Sequence, residues 1–375
     1  MMLRRRSFSL LSLIGMAQSP ASRLMLRPPL GRSATLSFGL PVAENSPQEI
    51  GRLATEGDVN AVAWNRDGSR LAALSNSGAT VTIWEASDWK VLRSFHRYGG
   101  GNVSNSFAYL PDGTLLTPAP LGRSPDPRYK TLSIFSLVQW DSRSGQPVRY
   151  IPDVTKIPKG AASFIGPTET FVVSADGSVV AGTSKGDVLL YSTRDWSLIR
   201  RITTPSTSGF RDLTISVAIS NGNRYLVLGT VAGFIHLFLL SNGSKEAVFH
   251  IYQKGYGDGC SAVEFSPDGQ FLAVGSGGAS VGAVDNGSIQ IWSVKDRKVI
   301  AYLDGPRSTV WGIAWDQTGN RLAVVGSLLL RVWTVEGLPN PPRLIEQVPN
   351  HGYSLMFSST GVLAVADSNE VVIYR

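Results

Sequence analysis

The 375-residue chain has one cysteine, Cys260, and four histidines, at 96, 236, 250 and 351. A lone cysteine excludes an internal disulfide and any site built from several thiolates. The histidines stand far apart, with neither a His-x-His nor a His-Glu-x-x-His spacing, which removes the common zinc arrangements. Gly-x-Ser-x-Gly does not occur in a strand-to-helix setting, so no nucleophile elbow is present. Gly275-Ser-Gly-Gly278 is not a phosphate loop, because no Lys-Ser/Thr follows it and no helix pattern begins there. Acidic residues are absent before Glu44, whereas Arg4, Arg5, Arg6, Arg23, Arg27 and Arg32 all precede it. Those six arginines supply six of the seven net positive charges. The remainder is close to neutral and lacks the basic patch that nucleic-acid binding needs.

What the chain does have is a recurring short-strand pattern. Apolar residues make up 43% of it and charged residues 17%, ample for a packed core. From Cys260 to Leu303, Ser261-Ala-Val-Glu-Phe-Ser-Pro-Asp-Gly269 is followed by Phe271-Leu-Ala-Val274, then Ile289-Gln-Ile-Trp292 and Lys298-Val-Ile-Ala-Tyr-Leu303. Alternating or β-branched runs punctuated by Pro-Asp-Gly, Gly-Gly and Asn-Gly predict four antiparallel strands joined by tight turns.

The third of these strands, apolar-x-x-aromatic, recurs seven times. The copies are Val81–Trp84, Leu137–Trp140, Val188–Tyr191, Ile235–Phe238, Ile289–Trp292, Leu330–Trp333 and Val371–Tyr374. Their mean spacing is about 48 residues, near the period of propeller blades. A turn glycine precedes each second strand, at 68, 113, 177, 222, 269, 319 and 361. The expected fold is therefore all-β, a seven-bladed β-propeller of four-stranded antiparallel blades. In blade 3 the opening strand is either Ala161–Ile165 or Thr170–Ser174, and the second fits better. Asp195-Trp196-Ser-Leu-Ile echoes Asp88-Trp89-Lys-Val-Leu and so marks the blade's end.

The fourth strand reads apolar-x-x-apolar in six blades: Leu92–Phe95, Val148–Ile151, Ile199–Ile202, Val248–Ile251, Ile300–Leu303 and Ile345–Val348. The seventh copy stands at the other end of the sequence, as Ile50-Gly-Arg-Leu53. An N-terminal strand completing the last blade would close the ring and cover an open sheet edge.

Val-x-x-Phe-Ser-Pro-Asp-Gly, Leu-Ala and Ile-x-Ile-Trp resemble the WD-repeat propeller pattern over about 48–375. Trp84, Trp140, Trp292 and Trp333 match the family's namesake tryptophan, and Trp140-Asp141 supplies the full Trp-Asp pair. The Gly-His dipeptide is missing, Asn-His-Gly at 350–352 being the nearest to it, and Lys185 and Asn286 stand where the family has a turn aspartate. The buried His–Ser–Asp–Trp hydrogen-bond network of the family is accordingly not expected.

Residues 1–43 read as a targeting leader, and 44–375 as the propeller. Arg5-Arg6-Ser-Phe8-Ser-Leu10 resembles the twin-arginine export signal peptide, and the apolar run Leu10–Ala17 is too short to span a membrane. The expected location is the bacterial periplasm or the extracellular space. A mitochondrial presequence and a plain basic tail on a cytoplasmic protein are the alternatives.

The scattered ionisable groups predict no catalytic, cofactor or metal site. The loops that join each outer strand to the next inner strand gather on one face. They hold His96, Arg97, Tyr98, Phe210, Arg211, Tyr252, Lys254, Tyr256, His351 and Tyr353, and Trp311 opens an inner strand beside them. Aromatic and arginine side chains are typical interface anchors. The expected function is a non-catalytic scaffold that offers this face to another protein or peptide. The competing expectation is a lactonase-like or quinone-dependent propeller enzyme, or a small-ligand binder, with its site at the channel mouth.

Overall fold

The computed structural model describes residues 46–97, 106–118, 137–151, 170–184, 187–203, 213–251, 259–277, 288–306 and 308–375. The chain divides into two compact units, 1–42 and 43–375, and the first lies outside the described residues. The expected strand Ala161–Ile165 also lies outside them.

β1 (Glu49–Ala54) precedes the first complete blade, which is β2 (Val59–Trp64), β3 (Arg70–Ser75), β4 (Thr80–Glu85) and β5 (Val91–His96). Blade 2 is β6 (Ala108–Tyr109), β7 (Leu115–Pro118), β8 (Leu137–Trp140) and β9 (Pro147–Ile151). Blade 3 is β10 (Phe171–Val173), β11 (Val179–Ser184), β12 (Asp187–Ser192) and β13 (Leu198–Thr203), so the strand at 170–174 opens it. Blade 4 is β14 (Thr214–Ile219), β15 (Tyr225–Thr230), β16 (Phe234–Leu239) and β17 (Lys245–His250). Blade 5 is β18 (Gly259–Phe265), β19 (Phe271–Gly277), β20 (Ser288–Ser293) and β21 (Lys298–Asp304). Blade 6 is β22 (Val310–Trp315), β23 (Arg321–Gly326), β24 (Leu329–Thr334) and β25 (Arg343–Pro349). Blade 7 takes β26 (Leu355–Phe357), β27 (Leu363–Asp367) and β28 (Glu370–Tyr374) from the C-terminal end and β1 from the N-terminal end. Seven four-stranded antiparallel sheets result, a seven-bladed β-propeller.

The repeated turn glycines explain the shared geometry of the blades. Gly68, Gly113, Gly177, Gly222, Gly269, Gly319 and Gly361 all adopt φ between 69° and 81°, a region closed to most side chains. Each middle strand is buried on both faces and therefore reads as a nearly continuous apolar run. In β3, Ala72 and Leu74 pack with Val138 and Trp140 of blade 2, while Leu71 and Ala73 pack with Ala364 and Ile373 of blade 7. Seven such clusters occur among the described residues, each shared by two neighbouring blades. Buried Cys260 belongs to the cluster between blades 4 and 5.

Closure follows the expected register. Leu53 faces Val371, Arg52 faces Val372 and Gly51 faces Ile373 across an antiparallel ladder. Gln48 and Arg375 exchange backbone hydrogen bonds at 2.7 and 2.9 Å. Arg52 lies 2.8 Å from Glu49 and 3.2 Å from Glu370, on the surface of the same seam.

One part of the family's hydrogen-bond network survives. In blade 2 the Trp140 indole donates to Thr117 Oγ1 at 3.0 Å. The register puts Ala73, Val274 and Val324 at the corresponding position in blades 1, 5 and 6, where no hydroxyl is available. Trp292 turns instead to Gln290 Oε1 at 3.1 Å, and the buried Trp333 Nε1 has no partner.

Candidate partner-binding face

In an antiparallel blade whose first strand begins at one face, the link from second to third strand returns to that face. The link from the outer strand to the next inner strand does the same. The short turns at 65–69 and 316–320, among others, lie on the opposite face.

On the first face, blades 6 and 7 bring three of the expected residues together. The Trp311 ring meets Tyr353 edge-on, with centroids 5.6 Å apart. Its indole nitrogen donates to Ser327 Oγ at 2.8 Å, which fixes the ring at the mouth of β22. His351 follows Asn350, whose amide donates to Ala366 O at 3.0 Å and whose carbonyl oxygen accepts from Gly352 N at 2.8 Å. The backbone N–H of His351 donates to Asp367 Oδ1, and its ring Nδ1 lies 3.7 Å from the same oxygen. Tyr353 is 38% exposed and Leu328, in the neighbouring blade 6 turn, 51%.

The blade 1 residues are placed differently. His96 ends β5 rather than sitting in a loop, with its ring held by Thr80 Oγ1 at 3.1 Å and 3.8 Å from Glu56. Those partners are not those of His351, so the two histidines belong to separate clusters. Arg97 is only 5% exposed, and its Nε and Nη1 have no hydrogen-bond partner. Burial pushes its pKa down to about 10. A side chain so enclosed cannot meet a partner without a rearrangement. Tyr98, Phe210, Arg211, Tyr252, Lys254 and Tyr256 lie outside the described residues, as do Arg5, Arg6, Phe8 and Leu10.

Of the other two histidines, His236 is buried in β16, and exposed His250 in β17 packs at a tilt against Phe234 with centroids 4.6 Å apart. No group of three or more His, Cys, Asp or Glu that could hold a metal occurs among the described residues. No helix among them is long and apolar enough to cross a membrane.

Two features escaped sequence reasoning. A cleft of about 720 Å³ opens on the opposite face between blades 4 and 5, lined by Asn221, Arg224, Asp268, Lys295 and Arg297 among others. It is built from turns of two blades, and no single-repeat pattern signals it. The second is Glu264, on the inner strand β18. The other blades place small or apolar residues at this register position, such as Ala63, Ala218 and Ala314. Glu264 is half-buried, and desolvation pushes the pKa of its carboxyl up to about 8.

Comparison with known proteins agrees with this architecture. The model of the family described as "WD domain, G-beta repeat" matches residues 248–293, which run from the end of the outer strand of blade 4 through the first three strands of blade 5. The chain is 25% identical over 293 residues to a WD repeat-containing protein WDS homolog of Arabidopsis thaliana, covering 76% of this chain and 48% of that protein. It is 29% identical over 156 residues to the UBP9-binding protein bun62 of Schizosaccharomyces pombe, covering 40% of this chain and 25% of that one. It is 24% identical over 160 residues to pre-mRNA-processing factor 19 homolog 2 of Arabidopsis thaliana, covering 43% and 28%. The chain thus spans about half or less of the length of these relatives. With seven blades of one build and one repeat matched by that family's model, the chain is a seven-bladed β-propeller whose repeats resemble those of the WD-repeat family.

Proposed function

We propose that the protein is a non-catalytic interaction scaffold that captures a protein partner on the face where outer strands hand over to inner strands. The observation that carries this reading is the Trp311–Tyr353 pair beside Leu328 and His351. Large aromatic rings held edge to face, fixed by a hydrogen bond and left partly open to water, are the form an interface anchor takes. One relative, bun62, is named for binding another protein, which supports the same reading.

The test uses the full chain and a Trp311→Ala/Tyr353→Ala variant as baits in parallel. A partner held by the wild type and released by the variant, with melting temperature little changed, is the expected result. Equal capture by both, or no partner specific to the wild type, would remove the anchor role.

For the leader, Arg5-Arg6-Ser-Phe8-Ser-Leu10 supports export through a twin-arginine route. An Arg5→Lys/Arg6→Lys variant should then stay in the cytoplasm, and its normal export would refute the proposal.

A further inference from the structure

Every outer strand carries a register shift opposite the third-strand aromatic. The extra residue is Leu92 in blade 1, Val148 in blade 2 and Ile199 in blade 3. All three are aliphatic and 47% to 55% exposed. The next residue is Arg93, Arg149 and Arg200 in turn, opposite Ile83, Gln139 and Leu190. In blades 4 to 7 that register position holds Ala247, Ala301, Glu346 and Gly51. Three successive blades therefore repeat one exposed aliphatic–arginine pair around the rim, and the other four do not.

The three arginines are not matched by acids. Arg93 donates to the backbone carbonyl of Ser144 at 2.8 Å, and Arg200 Nε is buried without a partner. None of the three forms an ion pair with a carboxylate among the described residues. The acids in the turns just before these strands, Asp88, Asp141 and Asp195, each cap backbone N–H groups and have Lys90, Arg143 or Arg194 beside them in sequence. No Asp or Glu occurs within β5, β9 or β13.

We infer that the outer strands of blades 1 to 3 form a docking edge for an extended acidic segment of a partner protein. Its aliphatic side chains would lie against Leu92, Val148 and Ile199, and its carboxylates on Arg93, Arg149 and Arg200. Charge complementarity selects an acidic occupant, and arginine binds carboxylates well because its planar fork can hold both oxygens. The exposed aliphatics select a peptide over a nucleic acid, whose backbone gains nothing from them. A flat lipid surface would touch a convex rim at about one blade, whereas a flexible segment can follow all three. The open edges of β5, β9 and β13 also offer unpaired backbone groups to an extended chain.

The experiment measures binding of a short fluorescent peptide of alternating leucine and glutamate to the full chain. Controls are a leucine–lysine peptide and vesicles rich in phosphatidylserine. Binding of the acidic peptide alone is expected, weakened about tenfold or more in an Arg93→Ser/Arg149→Ser/Arg200→Ser variant. Exposed Arg149→Glu serves as a second variant should the triple one fold poorly, and it should weaken binding in the same direction. The Trp311→Ala/Tyr353→Ala variant should bind the peptide normally, which keeps this edge separate from the aromatic face. Binding of both peptides alike, binding of vesicles but not peptide, or indifference to Arg149→Glu would overturn the proposal. If the peptide does not bind and the arginine variants aggregate, the arginines only guard an open sheet edge.

Discussion

At the scale of single residues, Glu264 is the side chain most at odds with its surroundings. Desolvation favours its neutral form and raises the pKa in the folded state. A carboxyl whose folded pKa lies above its unfolded value of about 4.3 holds more protons when folded, so stability falls as pH rises from there to about 8. Glu264→Ala, which copies blades 1, 4 and 6, should therefore stabilise the protein above pH 8. The gain should be about 1–3 kcal/mol, the usual cost of an unmatched buried polar group. It should shrink or reverse below pH 4, where the neutral acid fills its space. Thermal melts across that range provide the check, and a pH-independent difference would contradict the assignment. Gly352 makes a second test. A Cβ there would come 1.8 Å from Ala366 O, so Gly352→Ala must displace the loop that carries His351 and Tyr353. Weaker partner capture with a modest loss of stability is expected, because the collision is with backbone and cannot be relieved by a rotamer change.

At the scale of elements, the turns and third strands show how a repeat can be read from sequence. Asp176 accepts from Ser174 Oγ, the Ser178 N–H and Asn223 Nδ2. Burial opposes its ionisation, yet these hydrogen bonds outweigh burial and hold the carboxyl well below the usual range. Such a group stabilises the fold above its unfolded pKa and loses that contribution as pH falls through the folded one. Asp176→Ala should cost about 1 kcal/mol at neutral pH and little in strong acid, as urea titrations would show. The Asp-Gly turn and the apolar-x-x-aromatic strand were legible because each is dictated locally, by a positive φ and by burial on both faces. The outer strands were only half legible. In Leu92–Phe95, Val148–Ile151 and Ile199–Ile202 the last residue packs inward, but the first sits on the register shift and faces water. A shift that moves one side chain to the surface leaves no mark in an apolar-x-x-apolar pattern. The binding face was harder still. Trp311 and Tyr353 stand 42 positions apart and meet only because blades 6 and 7 are neighbours, while Arg97 looked like a surface group until its burial was known.

At the scale of the whole molecule, the ring depends on one long-range seam. β1 joins β28 across more than 300 positions, and Leu53 enters the core between blades 7 and 1 beside Val371 and Ile373. Without β1, the edge of β28 would lie open, with unpaired backbone groups beside an apolar core. Leu53→Ala should cost about 2–5 kcal/mol, as for other buried leucines. Deleting 44–54 should do more, lowering the melting temperature sharply and producing aggregates that scatter light, because the exposed edge can pair with a second chain. Deleting 1–43 should leave the melt unchanged, since among the described residues the contacts of the seam begin with Ser46 to Ile345 O and Gln48 to Arg375. Refolding should be slow in the intact propeller, because the seam must close a loop of nearly the whole chain before its contacts stabilise anything. A synthetic peptide of residues 46–56 added to the truncated protein should restore the melt and suppress the scattering. Equal stability of the two deletions, or a truncated ring that the peptide does not improve, would show that the seven blades hold together without the N-terminal strand.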